Sequence, residues 1–373
     1  VTTPPPEDSL LDRRTLNRTL LARQQLLARV AMPVADMIEH LVGLEAQVPR
    51  DPYISLWSRL RDFQPAALER LLLEREAVRM TLMRTTLHLV TARDAPRLRA
   101  AMQAVCERGF GSSPFRRQLD GIDLDALLAA GTAAVEDRPR TVAELGAVLA
   151  ELWPTHDRTA LAYAVRYLVP LVQVTPRGLL RRSAAPRVTT LYAWLGEAAR
   201  VDTRADSRLE EVVLRYLRAF GPATVADVRA WSWLSDVRSV VELLRPRLRS
   251  YRDGAGRELF DVEDGVFAAP DEPAPVRFTG EYDNVFLAHA DRSRVTGDLA
   301  WGEAYLRKGA FFVDGFLAGS WVMTVSKGHA VVTLEPRRLL DRRERDAAAT
   351  EAEALVEFLA PDAPRRRLAW AAG

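Results

Sequence analysis

Cysteine is almost missing from this 373-residue chain. Cys106 stands alone, so no intramolecular disulfide can form, and its helical context reads as small core packing. Lysine is nearly as scarce: Lys308 and Lys327 are the only two, so all but two of the 52 basic residues are arginine. No apolar run reaches membrane-spanning length, and the Pro-rich, acidic start Val1–Leu10 has no hydrophobic signal segment. Those absences predict a cytoplasmic protein without membrane contact. His40, His88, His156, His289 and His329 are scattered, with no partner Cys or His at ligand spacing, which argues against zinc. Neither a Gly-x-x-x-x-Gly-Lys loop nor a dinucleotide fingerprint is present.

What is present is a long, apolar, arginine-rich chain. With 48% hydrophobic residues it can bury cores for two or three domains. The net charge of +2 decides nothing by itself, but it is a balance of many charges. A GC-rich coding genome accounts for much of the arginine bias. The guanidinium is still the side chain best shaped for bidentate phosphate contact, so a basic groove can sit opposite an acidic outer face.

Read in order, the chain repeats a pattern. Leu16, Leu20, Gln24 and Leu27 begin a helix that ends before Pro33, and Val34 to Val42 forms a second. Tyr53, Leu56, Trp57 and Leu60 mark a third helix after Pro52, and Leu68, Leu71 and Leu72 a fourth after Pro65. The segments 77–82 and 86–90 then read as a β-hairpin. The capping-box pattern at Thr141–Glu144, a helix over 159–168 and strands at 171–174 and 179–182 repeat the order. A third copy runs from the stripe Leu209, Val212, Val213, Tyr216, Leu217 and Phe220 to a hairpin around Asp253-Gly254-Ala255-Gly256. This outline predicts an α+β fold of three tandem winged helix-turn-helix units. Their expected bounds are 13–135, with a helical extension, 136–205 and 206–275. A disordered tail, 1–12, precedes them. A β-rich C-terminal part, 276–373, follows, with strands that include 285–288 and a helix over 342–359, and it is expected to close against the third unit.

One stretch offers chemistry. In Leu41–Tyr53, Glu45 and Gln47 place a carboxylate and an amide on either side of Ala46, before Pro49 and Pro52 stop regular structure. Such a pair can hold one water between a proton acceptor and an orienting amide, or it can be an ordinary cap or turn. Gly109-Phe110-Gly111-Ser112-Ser113 lies among Arg108, Arg116 and Arg117, and reads as a solvated loop or a phosphodiester contact. Arg84 and His88 flank a strand, where His88 is a structural histidine or a site residue. The polar cluster 281–284 with 289–292, including Asn284 and Arg292, reads as a capped turn or as part of a site.

Leu41–Tyr53, Thr81–Asp94, Arg166–Ser183, Leu214–Trp231 and Glu281–Arg292 together resemble the AlkZ/YcaQ family of winged-helix DNA glycosylases. The likeness runs over roughly 16–338 and is closer to the branch linked to resistance against azinomycin B. It implies three winged-helix units in a C-shape around duplex DNA, and hydrolysis of the N-glycosidic bond of N7-alkylated purines without metal or cofactor. It also implies unhooking of interstrand crosslinks. The family's Gln-apolar-Gln motif falls on Glu45-Ala46-Gln47, where Gln47 matches and Glu45 departs. The resemblance thereby makes Glu45 and Gln47 the catalytic candidates. Arg50, Arg84, His88, Arg108, Arg116, Arg117, Arg177, Arg181, Arg182, Asn284 and Arg292 are the candidate DNA contacts. A monomer with no obligate protein partner is expected. Two rival readings remain: a winged-helix transcriptional regulator, and a lesion- or drug-binding resistance protein without turnover.

Overall fold

The structure is a computed structural model describing residues 4–199, 209–299, 302 and 307–371. Its helices form where apolar residues share a face and polar side chains close the ends. Thr141 with Glu144, Thr224 with Asp227 and Asp341 with Glu344 each make both bonds of a capping box, opening the helices Val142–Leu152, Val225–Ser232 and Arg342–Leu359. In the helix Leu209–Phe220, Val212, Val213, Tyr216, Leu217 and Phe220 are all buried, as their stripe predicts.

The strands are β1 (Leu10–Leu11), β2 (Leu44–Glu45), β3 (Ala77–Thr81), β4 (Leu87–Thr91), β5 (Leu171–Gln173), β6 (Val188–Thr190) and β7 (Leu248–Asp253). They continue as β8 (Glu258–Val262), β9 (Arg277–Thr279), β10 (Gly309–Val313), β11 (Phe316–Ser326), β12 (His329–Pro336) and β13 (Arg365–Trp370). Three sheets result, ordered β2-β4-β3-β5-β6, β1-β7-β8 and β13-β12-β11-β10-β9. The wings of the first two units are thus one sheet, joined where β3 pairs with β5 at Arg79↔Gln173 and Met80↔Val172. Mixed α+β architecture with tandem helix-plus-wing units agrees with the sequence reading.

Three expectations are corrected. The strand expected at 179–182 is a pair of turns, with Leu179 N–H donating to the Pro176 carbonyl and Arg182 N–H to that of Leu179. The β-branched run Val188-Thr189-Thr190 pairs with β5 instead. Residues 285–288 are not a strand. Asp283 accepts from Val285 N and caps a short helix, Asn284–Leu287. A four-residue apolar run has no period of its own, so the cap decides. The tail expected to be disordered contains β1, which runs parallel to β7 and buries Leu11 with Leu16, Tyr251, Leu259 and Phe267. The C-terminal part does close against the third unit, with Tyr216 Oη donating to the Ala288 carbonyl at 2.7 Å and Ala290 N–H to Asp227 at 2.9 Å, and it packs on the first unit as well. Ser58 Oγ donates to the Phe278 carbonyl, and Trp57 stacks on Phe358 at 5.8 Å.

Two buried ion pairs lock these parts together. Arg59, on the helix Asp51–Arg59, binds Asp283 through both terminal nitrogens, at 2.9 and 2.6 Å. Arg23, on the helix Arg13–Arg23, binds Asp261 of β8 at 2.7 and 2.6 Å.

Candidate active site

Leu41-Val42-Gly43 leaves the helix Val34–His40 through two left-handed residues, Val42 (φ 55°) and Gly43 (φ 92°). A side chain at Gly43 would meet Val90 Cγ1 at 2.7 Å, so only glycine lets the chain turn this tightly against β4. β2 then pairs antiparallel with β4, setting Glu45 opposite His88, and Ala46 N–H extends the ladder to the Leu87 carbonyl at 2.7 Å. The strand ends at Glu45, and Gln47 follows two residues on in a bend.

The two oxygens of Glu45 are treated very differently. Oε2 accepts from Arg84 Nη2 at 2.9 Å and from Thr86 Oγ1 at 2.8 Å. Oε1 is buried and has no hydrogen-bond partner among the described residues. Leaving a buried carboxylate oxygen without a hydrogen bond costs roughly 1–3 kcal/mol. Gln47 is exposed, and its Oε1 accepts from Leu87 N at 3.1 Å. That bond fixes the amide plane and leaves its NH2 group as the outward donor.

The surroundings hold this arrangement. Arg84 and Thr85 both adopt left-handed backbone (φ 54° and 58°) in the turn between β3 and β4, strain that folds the Arg84 guanidinium back over Glu45. Its Nη1 donates to the Trp231 carbonyl at 2.6 Å, tying this turn to the third unit. His88 is buried, and Nδ1 lies 3.1 Å from the Thr86 carbonyl, an acceptor only, so Nδ1 carries the proton. Burial holds its pKa below the ordinary value, more strongly than the Glu45 charge raises it. The neutral ring leaves Nε2 3.6 Å from Glu45 Oε2, beyond a hydrogen bond. Behind β2, Arg79 Nη2 donates to the Ala46 carbonyl at 2.6 Å, and burial pulls its pKa down to about 10.

The remaining candidates scatter. Asn284 is buried and spends its amide on the carbonyls of Leu41 (3.3 Å) and Gly43 (2.7 Å), so it clamps the approach to Glu45 and is not a DNA contact. His88 is likewise enclosed, and Arg84 is committed to Glu45 and Trp231; neither is free for a phosphate. Arg50 pairs with Glu281 at 3.4 Å and lies over Trp321. Arg292 is half-buried, its charge acts on Arg84, and its Nε has no partner among the described residues. Arg108 is exposed and donates to the Trp233 carbonyl. Gly109 lies in the last turn of the helix Gln103–Gly111, not a loop; a Cβ there would come within 2.5 Å of Thr85 Cγ2. Arg116 pairs with Asp120 at 3.3 Å, and Arg117 is exposed. Arg177 donates to the Ala184 carbonyl, Arg181 pairs with Asp362 at 2.6 Å, and Arg182 is exposed.

Sequence reasoning missed Thr86 and Arg79 as supports of the pair. The strand-face alternation that puts Thr86 beside His88 was visible; the two-residue β2 that brings Glu45 alongside was not. Among the described residues, no group of three or more His, Cys, Asp or Glu side chains could hold a metal ion.

Tandem helical units whose hairpin wings pair into sheets place the fold in the class of winged-helix proteins. The family model for "DNA glycosylase AlkZ-like" matches residues 38–358, and the chain belongs to that family of enzymes. No curated protein sequence matches it. Among solved structures it is similar to the Streptomyces sahachiroi DNA glycosylase AlkZ, at a TM-score of 0.73 and 20% identity. That match covers 97% of this chain and all of the other, and shows a shared fold.

Proposed function

We propose that this DNA glycosylase hydrolyses the N-glycosidic bond of N7-alkylated purines and thereby unhooks DNA interstrand crosslinks of the azinomycin type. The observation that carries the reading is the half-satisfied Glu45 carboxylate beside an oriented Gln47 amide. Alkylation at N7 makes the purine cationic, so it departs with the C1′–N9 electron pair as a neutral base and needs little acid help. The demand falls on the sugar, which gains oxocarbenium character, and on the water that must attack C1′.

Glu45 answers both demands. Tethered by Arg84 and Thr86, it presents Oε1 to a water, takes the proton as the O–C1′ bond forms, and sets negative charge near the developing cation. Gln47 orients that water through its NH2 group. The product is an abasic deoxyribose. The departure from a two-glutamine motif thus gives the first position a base as well as an anchor.

DNA is gripped by arginine–phosphate contacts. Arg292, at the rim beside Arg84, takes the phosphate nearest the lesion, and the exposed Arg108, Arg117 and Arg182 serve flanking phosphates. A crosslinked purine remains tethered to the opposite strand and cannot swing into a closed pocket, which favours reaction in an open cleft. Unit bounds of 13–135, 136–205, 206–275 and 276–373 belong to this proposal; the bound at 205/206 lies outside the described residues. So do action as a monomer and a cytoplasmic location. No helix among the described residues is long and apolar enough to cross a membrane.

The test is alkali cleavage of end-labelled duplexes, one carrying a single N7-methylguanine and another an azinomycin crosslink. Cleavage at the modified purine by wild type, lost in Gln47→Ala with DNA affinity intact, is the expected result. Tight binding without cleavage of either lesion would replace hydrolysis by protection.

A further inference from the structure

Trp233 is an exposed aromatic in a costly conformation. It ends the helix Val225–Ser232 in the left-handed region (φ 63°, ψ 17°), where a bulky residue is a backbone outlier, and its side chain is left 51% exposed. Neither feature serves the core, because the apolar contacts of this turn are made by its neighbours Trp231 and Leu234, which are buried.

Its position is tied to the site by two arginines. Arg84 bridges Glu45 Oε2 and the Trp231 carbonyl with one guanidinium, so the backbone two residues before Trp233 lies one side chain from the Glu45 carboxylate. Arg108 reaches from the helix Gln103–Gly111 to the Trp233 carbonyl itself. Trp233 N–H bonds back to the Arg229 carbonyl, so both peptide groups of the residue are held. The result is a rigid turn that presents a large ring at the rim of the site. Arg108, bonded to the Trp233 carbonyl, is exposed, as are Arg229 four residues before Trp233 and Arg238 five residues after it on the helix Val237–Leu244.

We infer that Trp233 is a stacking platform for a nucleobase at the lesion, the base whose stacking partner is lost or displaced when the damaged purine is engaged. This inference rests on the glycosylase reading. An indole face takes any base without sequence preference, and a ring already fixed in place loses little entropy on stacking. The guanidinium groups of Arg108, Arg229 and Arg238 supply the attraction for the backbone that brings the base there.

The experiment uses a duplex with a tetrahydrofuran abasic analogue, carrying 2-aminopurine either opposite the gap or beside it. Wild type is compared with Trp233→Gly and Trp233→Phe, and N7-methylguanine excision is measured for all three. Glycine suits the left-handed backbone, so Trp233→Gly should melt no lower than wild type, and its defects are not those of a misfolded chain. Wild type should quench the 2-aminopurine in at least one position. Trp233→Gly should lose that quenching and bind about tenfold more weakly, with Trp233→Phe restoring part of both. Equal quenching and affinity in wild type and Trp233→Gly would overturn the platform. Absence of excision by wild type would instead sink the glycosylase reading, whatever the fluorescence shows.

Discussion

Glu45 and Asp283 are both buried carboxylates beside an arginine, yet they are wired in opposite ways. Asp283 saturates both oxygens: Oδ1 takes Arg59 Nη2 and Val285 N, and Oδ2 takes Arg59 Nη1 and Ser55 Oγ. Paired charge and hydrogen bonds outweigh its burial, and its pKa stays below the ordinary carboxylate value. Glu45 gathers its partners on one oxygen and leaves the other bare. Complete pairing builds a fixed joint between the first unit and the C-terminal part. Incomplete pairing, beside a strained turn, leaves one carboxylate oxygen of Glu45 without a hydrogen bond among the described residues.

The contrast breaks most severely if Glu45 is truncated. Glu45→Ala removes both the base and the negative charge, so single-turnover excision of N7-methylguanine by the molecules that remain folded should fall by about 10⁴-fold. Glu45→Gln preserves the anchor but puts an NH2 donor in place of an acceptor, with an expected loss of about 10²-fold. A glutamine variant as fast as wild type would mean that position 45 only orients and never accepts the proton. At the other carboxylate the signs exchange. Arg59→Ala leaves the Asp283 charge buried and alone, and should cost about 3–5 kcal/mol in urea denaturation while folded molecules keep their excision rate. If that variant is stable but slow, the joint is part of the site.

A finer break is Thr86→Val, which deletes one of the two bonds on Oε2 at nearly constant volume. A hydrogen bond to a charged group contributes about 1.5–3 kcal/mol, so a loose carboxylate should slow excision about tenfold or more with little change in DNA affinity. An unchanged rate would assign the positioning to Arg84 alone.

How much of this contrast the sequence carried depends on range. Helices with full stripes and capping pairs, such as 209–220 and 342–359, were legible because their signals are local. So was the candidate pair, since Glu45 and Gln47 are two residues apart. Asp283 and Asn284 were legible as polar but not as structural, because their partners Arg59 and Gly43 lie more than two hundred positions away. The shared sheet of the first two wings was hidden for the same reason: β3 and β5 are separated by the whole helical extension. Short elements failed as well. β2 has two residues and no period to read, and the apolar run at 285–288 fits helix or strand equally until Asp283 caps it.

A third buried carboxylate sharpens what a bare oxygen means. Asp51 accepts from the backbone N–H groups of Glu281 (2.9 Å) and Tyr282 (3.3 Å) through Oδ2, and its Oδ1 has no partner among the described residues. It resembles Glu45 in that respect but has no guanidinium bonded to it. Burial, with the Glu281 charge adding to it, pushes its carboxyl up to about 7. Burial and a like charge thus work against the ionised form of Asp51, whereas the Glu45 carboxylate has the Arg84 guanidinium hydrogen-bonded to it. Between the unfolded value of about 3.9 and about 7, the native protein keeps a proton that the unfolded chain has released. Stability should therefore fall as pH rises through this window, by up to about 1.4 kcal/mol per pH unit, and level off above it. Asp51→Asn keeps an acceptor for the two N–H groups and cannot ionise, so its urea midpoints at pH 5 and pH 7.5 should lie closer together than those of wild type. Parallel pH dependence in the two proteins would show that Asp51 is ionised throughout, and the distinction between the two bare oxygens would then have to be sought in water access rather than in charge.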